Sequence, residues 1–489
     1  MRVKLGMTPF LEETKPATGE SATTEELRVL VAALMAENRA LKERVAELER
    51  RLGLDSSNSG KPPSRDGLKR EARIRSLREP SGKKSGGQEG HEGKTLRQVD
   101  NPDEVIEYYP EVWAKCGTAL DAEAATDYQK RQGFDLPTPQ PIKVTAPRAP
   151  SCRCAQCGTQ TKALFPDEVT ATVQYGSSIA GLVVYLPHWH FIPEDRLAEL
   201  RKDLFGVDLA TATLAALAHK KADEWTGVAA PIGDHVKPAP GKHMDETGFR
   251  IAGLTQWLQV AATGLLTFYR ATRRRGDLLG GVLGIIGHDD WKPYCTREGV
   301  LHALCNAHHL RELRALIEIE KEPWASALSR FLRQACHAAN LARRRGTGLK
   351  PGFLAYLLAR YDRMLAPGLA FHEAQPPPVS ATHPEGRQRR GRVRRRVGHN
   401  LLVRLQTRKE DVLRFLTNPD VPFTNNQAEQ DLRRMKVKPK ISGSFRTAAG
   451  AQTFVILRTV LSTARKQGWN ILDTLTQNPN SLTQQLRTA

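Results

Sequence analysis

The stretch 421–446 reads VPFTNNQAEQDLRRMKVKPKISGSFR, and a single carboxylate, Glu429, stands among cations near its centre. Pro422 cannot continue a helix, Thr424 or Asn425 can cap the next one, and Asn426 through Met435 has a helical pattern. On that helix Glu429 lies four residues before Arg433, on one face. Arg433, Arg434, Lys436, Lys438 and Lys440 crowd around it. Taken alone, the stretch reads as a surface ion pair. Two acidic sites upstream give it another meaning: Asp245 in MDETG and Asp289 in HDDW complete a set of three carboxylates. Hard oxygen ligands suit Mg²⁺, and two such ions about 3.5–4 Å apart are an apparatus for phosphodiester chemistry. Each aspartate has an acidic neighbour, Glu246 beside Asp245 and Asp290 beside Asp289. Strand neighbours face opposite ways, so one of each pair serves, and the pattern leaves open which.

The elements that must position these acids follow from the period of the sequence. KHMDETGFRIAG, TQWLQVAATG and LLTFYRATRRRG, over 242–253, 255–264 and 265–276, read as three strands joined by glycine turns. A helical turn over 277–281 leads to a fourth strand, VLGIIGHDDW, with Asp289 at its end. Three strands, a helix and a fourth strand match the opening of a ribonuclease-H-like fold, in which the first and fourth strands lie side by side. Asp245 and Asp289 then share metal ions at a strand end, where α/β sheets place their sites. A short strand over 302–305 and a helix from Asn306 come next, and the chain stays helical to about 369. FHEAQPPPVSATHPEG breaks it, followed by Arg387, Arg389, Arg390, Arg392, Arg394, Arg395 and Arg396. A run so purely cationic between two parts of the site favours phosphate contact. Helices resume over 401–415 and 452–467.

Upstream, Leu27, Leu34, Leu41 and Leu48 recur every seven residues, and Val31, Asn38, Val45 and Leu52 fill the alternate core positions. This heptad seam predicts a parallel coiled-coil homodimer or higher oligomer, with Asn38 fixing register. Cys116, Cys152, Cys154 and Cys157 fall in one segment. Gly117 and Gly158 suit a knuckle turning thiolates toward Zn²⁺. Against that, Trp113 stands where a partner for Cys116 belongs, and Cys152 lies only two residues from Cys154. The segment is either a zinc site or a degenerate relic of one. Cys305-x-x-His308 has ligand spacing but no second pair, so these residues and His309 are assigned to packing. His188 and His190 read as loop or core residues.

The formal net charge is +20, with 73 basic against 53 acidic residues, which calls for a polyanionic partner without choosing DNA, RNA or anionic membrane. The start carries no apolar run, and the most apolar stretches, 179–186 and 280–287, are too short to span a bilayer. A cytoplasmic protein without membrane contact is expected. The expected organisation is multidomain α/β. A disordered tail (1–22), a leucine-zipper coiled coil (23–52) and a basic flexible linker (53–96) come first. A zinc-finger-like domain (97–170) and a helical DNA-binding domain (171–240) follow. The first part of the catalytic core (241–305), a mainly helical insertion with a basic segment (306–420) and the C-terminal part of the core (421–489) complete the chain.

Read together and in order, several motifs resemble the large transposase of the insertion-sequence-66 class, a bacterial mobile-element family. They are SSNSGKPPS at 56–64, GGQEGHEG at 86–93, VQYGSSI at 173–179, MDETG at 244–248, HDDWKPY at 288–294, CNAHHLREL at 305–313 and the 421–446 stretch. The resemblance implies a Mg²⁺-dependent DDE-type transposase that cleaves and transfers the ends of double-stranded element DNA. It also implies two small accessory proteins from the same element. By it, Asp245 matches the first catalytic Asp, Asp289 the second and Glu429 the final Glu. Trp113 departs from the family's cysteine pattern. Two other classes stay in view: a catalytically inactive DNA-binding protein that kept the fold, and a nuclease for RNA–DNA hybrids.

Overall fold

A computed structural model describes residues 23–59, 97–119, 127, 129–135, 142–167, 169–206, 209–375, 378 and 395–487. The expected tail, most of the linker, and Arg387, Arg389, Arg390, Arg392 and Arg394 lie outside the described residues. The chain divides into two compact units, one of residues 1–73, 184–191 and 218–489, the other of residues 74–183 and 192–217. The segment 171–240, expected as one helical domain, is therefore shared between them.

Helix α1 (Thr24–Gly53) opens on a capping box: Glu26 N donates to the Thr23 hydroxyl, and Thr23 N donates to the Glu26 carboxylate at 2.8 Å. None of its residues is buried, and the seam stays open, with Leu27 51% and Leu52 81% exposed. Its C-terminal end is anchored. Asp55 accepts the amide of Ser57 at 2.7 Å, and Asn58 donates to Gly53 O at 3.1 Å and to Glu318 at 3.3 Å.

In the smaller unit, β1 (Ser151–Arg153) and β2 (Gln160–Lys162) pair antiparallel. Helices α2 (Ser177–Trp189) and α4 (Thr211–Val236) start there and continue into the larger unit, and α3 (Glu194–Phe205) ends at Gly206 in the left-handed region.

The larger unit is built on five strands: β3 (Gly241–Ile251), β4 (Leu254–Ala262), β5 (Thr267–Thr272), β6 (Ile285–His288) and β7 (Leu301–Leu304). Their order is β5-β4-β3-β6-β7, antiparallel through the first three and parallel from β3 to β7. The expected helical turn at 277–281 is an irregular loop instead, because Gly276 and Gly281 both take positive φ. The fourth strand is shorter than the apolar run suggested. Gly284 has φ +74, and a Cβ there would lie 2.6 Å from Pro240 O, so β6 starts only after it. Asp289 falls one residue past the strand's end.

The free edge of β5 is closed by side chains. The Thr463 hydroxyl takes Thr267 N at 3.1 Å and donates to Thr267 O at 3.3 Å, while the Thr459 hydroxyl takes Tyr269 N at 3.1 Å. Both threonines lie on α12 (Ala448–Gln467), which satisfies a backbone edge that would otherwise be open. Trp225, Ile232 and Val236 of α4, fully buried, pack with Met244, Ile286, Leu457 and Val460 in one core.

Between β6 and β7 lies α5 (Lys292–Cys295). After β7 come α6 (Asn306–Ala315), a π-helical segment (Leu316–Glu320), α7 (Pro323–Arg344), α8 (Pro351–Ala374), α9 (Val397–Thr407) and α10 (Lys409–Thr417). They share a second core of Leu313, Leu328, Phe331, Tyr361, Leu402 and Val412, joined by Leu304 of β7. The chain then returns to the sheet as α11 (Asn426–Ser442), whose Ala428, Leu432 and Met435 pack with Leu258, Val260 and Tyr269. This helix passes the expected end at Met435 and runs through Pro439. Two short helices, α13 (Ile471–Thr476) and α14 (Pro479–Gln485), close the described chain. Among the described residues no helix is long and apolar enough to cross a membrane.

Candidate active site

Asp245 sits on β3 opposite Val260, beside β6. Its Oδ1 accepts Glu246 N at 2.8 Å. Burial first, then the Asp289 carboxylate, push its carboxyl up to about 7; Glu429 acts in the same direction and Lys436 opposes it. Asp289 Oδ1 accepts Trp291 N at 3.2 Å, and burial raises its carboxyl as well. Asp245, Asp289 and Glu429 thus lie near enough for Asp245 to feel both others. Their oxygens do not form a group within 4.8 Å of one another.

The acidic neighbours are committed elsewhere. Glu246, its side chain 3% exposed, pairs with Arg275 at 2.9 Å. The Arg275 guanidinium stacks on Trp257 at 4.8 Å and Trp291 at 4.1 Å from the ring centres. Asp290 pairs with Arg404 of α9 at 3.1 Å and accepts from the Cys295 thiol at 3.4 Å.

Glu429 enters from the first turn of α11. Its Oε2 meets Arg433 at 3.0 Å and Arg311 at 3.5 Å. Its Oε1 lies 3.8 Å from His308 Nδ1 and 3.9 Å from Cys305 Sγ. Cys305, His308 and Glu429 present three ligand atoms all within 4.8 Å of one another, so the pair assigned to packing from its spacing has a third member. Glu429 comes 124 residues after Cys305, too far for spacing to reveal it.

Asn425 is the residue whose role the sequence concealed. It occupies the N-cap position of α11, yet its side chain makes no cap hydrogen bond. Its Oδ1 lies 2.8 Å from His243 Nδ1, and its Nδ2 donates to Met244 O at 2.8 Å. Its backbone N donates to Cys305 Sγ at 3.1 Å. One buried asparagine, 2% exposed, thereby ties α11 to β3 and to the start of α6. Gly287 of β6 leaves room for this link, since a Cβ there would stand 3.2 Å from His243 Nδ1.

A family model described as Transposase IS66 family matches residues 172–453, more than half of the chain. The chain belongs to the IS66 transposase family. A second model, a family of unknown function (DUF6444), matches residues 13–97. An uncharacterized protein of Sinorhizobium fredii (strain NBRC 101917 / NGR234), y4jO, is 36% identical over 75 residues. That stretch is 15% of this chain and 23% of y4jO, so the chain spans under a quarter of that relative's length. The IS66 match contains the three carboxylates, Cys305, His308 and Asn425 but none of the cysteines from Cys116 to Cys157.

Cys116, Cys154 and Cys157 lie in two tight, glycine-ended turns. Gly158 N donates to Cys154 O and Cys154 N to Thr159 O; Gly117 N donates to Trp113 O and Trp113 N to Thr118 O in the same way. Gly117 and Gly158 have φ +70 and +71. Trp113 therefore fills the place of a first cysteine in an otherwise equivalent turn. Cys152 lies outside the turn, on β1 opposite Thr161. Cys116, Cys152, Cys154 and Cys157 are all exposed, and no three of their sulfurs gather within 4.8 Å, so the expected four-ligand set is not assembled. Hydrogen bonds from Thr159, aided by Cys154, hold the Cys157 thiol down at about 7.

Of the α11 cations, Arg433, Arg434, Lys436 and Lys440 are exposed. Lys438 is half-buried, with its ammonium 4.6 Å above the Phe445 ring. Arg395 and Arg396 are half-buried just before α9. His188 lies in the last turn of α2, and Arg458 donates to its carbonyl at 3.2 Å while stacking on Trp189, as a core role requires.

Proposed function

We propose that this chain is a DDE-type transposase that cleaves insertion-sequence ends in double-stranded DNA and transfers the strands to a new site. What supports this reading most is that Asp245 on β3 and Asp289 just after the neighbouring parallel strand β6 are close enough for Asp245 to be raised by Asp289 and by Glu429, which a helix carries in from 140 residues further on. The strand order, three antiparallel then two parallel, supports reading the sheet as ribonuclease-H-like. Burial and the two other carboxylates push the Asp245 carboxyl up, burial raises that of Asp289, and Mg²⁺ ions held by Asp245, Asp289 and Glu429 would supply countercharge there, together with activation of the attacking oxygen and stabilisation of the leaving one. Asp290 and Glu246, held by Arg404 and Arg275, are positioning acids in this reading. Arg433 and Lys436 follow Glu429 at four and seven residues, on one helix face, where they hold DNA phosphates beside the acids. Arg434, Lys438, Lys440 and the arginines from Arg387 to Arg396 extend that basic surface.

The open seam of α1 joins two copies, with Leu27, Val31, Leu34, Leu41, Val45, Leu48 and Leu52 in contact and Asn38 fixing register. Dimerisation suits a reaction that handles two DNA ends. The test is cleavage of element-end DNA against an RNA–DNA hybrid, both with Mg²⁺. Cutting of the DNA end alone supports the transposase. Cutting of the hybrid alone makes the chain a hybrid nuclease, and binding of DNA without cutting makes it an inactive binder.

A further inference from the structure

The cluster of Cys305, His308 and Glu429 differs in chemistry from the three-carboxylate site it adjoins. Cys305 is the N-cap residue of α6, and His308 lies in that helix's first turn, so the C-x-x-H spacing wraps both side chains around one helix start. Glu429 arrives from α11 and turns Oε1 toward them, 3.9 Å from Sγ and 3.8 Å from Nδ1. Its other oxygen is taken by Arg311 and Arg433, which leaves Oε1 facing the Cys305 thiol and the His308 ring. His308 Nδ1 is buried and has no hydrogen-bond partner, which is costly for a ring nitrogen unless something else takes its lone pair or proton. The Cys305 sulfur is held in place by the Asn425 amide at 3.1 Å.

We propose that Cys305, His308 and Glu429 form a binding site for a soft divalent cation, Zn²⁺ in class, that takes the catalytic glutamate away from Mg²⁺. A tetrahedral zinc ion with a thiolate at about 2.3 Å and nitrogen and oxygen ligands at about 2.0–2.2 Å needs donor separations of roughly 3.3–3.6 Å. The two separations to Glu429 Oε1, 3.8 and 3.9 Å, close to that range with a shift of a few tenths of an ångström, and the Cys305 and His308 donor atoms lie within 4.8 Å of each other. A thiolate selects zinc over magnesium, because Mg²⁺ takes hard oxygen ligands and Zn²⁺ accepts sulfur and imidazole nitrogen. Binding removes one proton from the Cys305 thiol to solvent and leaves the fourth position to water. Glu429 Oε1 then cannot serve the carboxylate site, so zinc holds the enzyme in an inactive form. The inhibitory role rests on the transposase reading; the binding site itself does not.

The test is a Co²⁺ titration of the metal-free full-length protein followed by absorption, without DNA. A thiolate–Co²⁺ band in the near ultraviolet is expected, displaced by Zn²⁺ and retained in millimolar Mg²⁺. Because the exposed thiols of Cys116, Cys152, Cys154 and Cys157 are also accessible to cobalt, the result is the difference between the parent and Cys305→Ser, His308→Gln and Glu429→Gln. Each should lose one equivalent of tight binding, weakened roughly tenfold or more. His308 is half-exposed, so His308→Gln keeps the test sound if Cys305→Ser fails to fold. Identical stoichiometry and spectra in the parent and a folded His308→Gln would overturn the site. If the cobalt band depends on these residues but no DNA end is ever cut, the transposase reading falls and the metal site stands.

Discussion

Replacing Asn425 with alanine separates the positioning of Glu429 from its chemistry. The side chain makes two buried hydrogen bonds to β3, one with His243 and one to Met244 O, both at 2.8 Å. Alanine leaves a buried ring nitrogen and a buried carbonyl without partners, at about 1–3 kcal/mol each. A local loss of about 2–6 kcal/mol then loosens the start of α11 against β3. If about 2–3 kcal/mol of that appears as lost alignment of Glu429, single-turnover cleavage slows by roughly 30- to 150-fold, since each 1.36 kcal/mol is tenfold. Affinity for DNA should change by less than about threefold, because the cations that hold phosphates stay in place. Asn425→Asp should be no better than alanine, as it turns a carboxylate oxygen toward the Met244 carbonyl. Gel-shift titration and single-turnover cleavage on the same preparations check the split. A folded Asn425→Ala protein that cleaves within threefold of the parent would refute the latch.

Three further outcomes are expected. Replacing Leu34 and Leu41 with Pro should lower the solution mass by light scattering, and an unchanged mass removes α1 from assembly. Changing both Thr459 and Thr463 to Val leaves the amides of Thr267 and Tyr269 unpaired, so urea unfolding should show a loss of about 2–6 kcal/mol; a change under about 1 kcal/mol would mean that the β5 edge finds other partners. His188 is half-buried, but its ring nitrogen Nδ1 is shut off from solvent and the imidazole is held down at about 3, chiefly by that loss of water and then by Lys438 and Arg458, so the unfolded chain takes its proton first as pH falls below about 6.5. Its stabilising share is complete above that pH and is lost toward pH 3. Between pH 7 and pH 5 the parent should therefore lose about 2 kcal/mol more than a His188→Phe variant, read by tryptophan fluorescence in urea, and equal losses would show that His188 titrates freely.

The strands were legible because their signal is local. Alternation over 242–276 located β3 and β4 within a residue or two, placed β5 but ran four residues past its end, and the apolar run before HDD marked β6. What failed was also local in kind: the positive-φ glycines at 276, 281 and 284 turned an expected helix into a loop and shortened β6. The three carboxylates were legible as types, but their neighbours could not be told apart by pattern. Asp290 is distinguished by Arg404, over a hundred residues away on α9, and Glu246 by Arg275, which follows β4 and β5 in the chain. Asn425 was read as a cap because capping is the local habit of asparagine, while its partners lie 181 and 182 residues back. The knuckle turn at Trp113 was hidden because the turn depends on backbone geometry and Gly117, not on the missing thiol.

The most direct test of the account is strand cleavage of element-end DNA with Mg²⁺ by Asp245→Asn, Asp289→Asn, Asp290→Asn and Glu429→Gln proteins beside the parent. Asp245→Asn, Asp289→Asn and Glu429→Gln each remove a proposed metal ligand with little change in size, so they should bind DNA and fail to cut. Asp290→Asn should keep much of the activity, because its partner is Arg404. Normal cutting by Asp289→Asn with a dead Asp290→Asn would move the second ligand by one residue, and parental cutting by all four proteins would contradict the catalytic account outright.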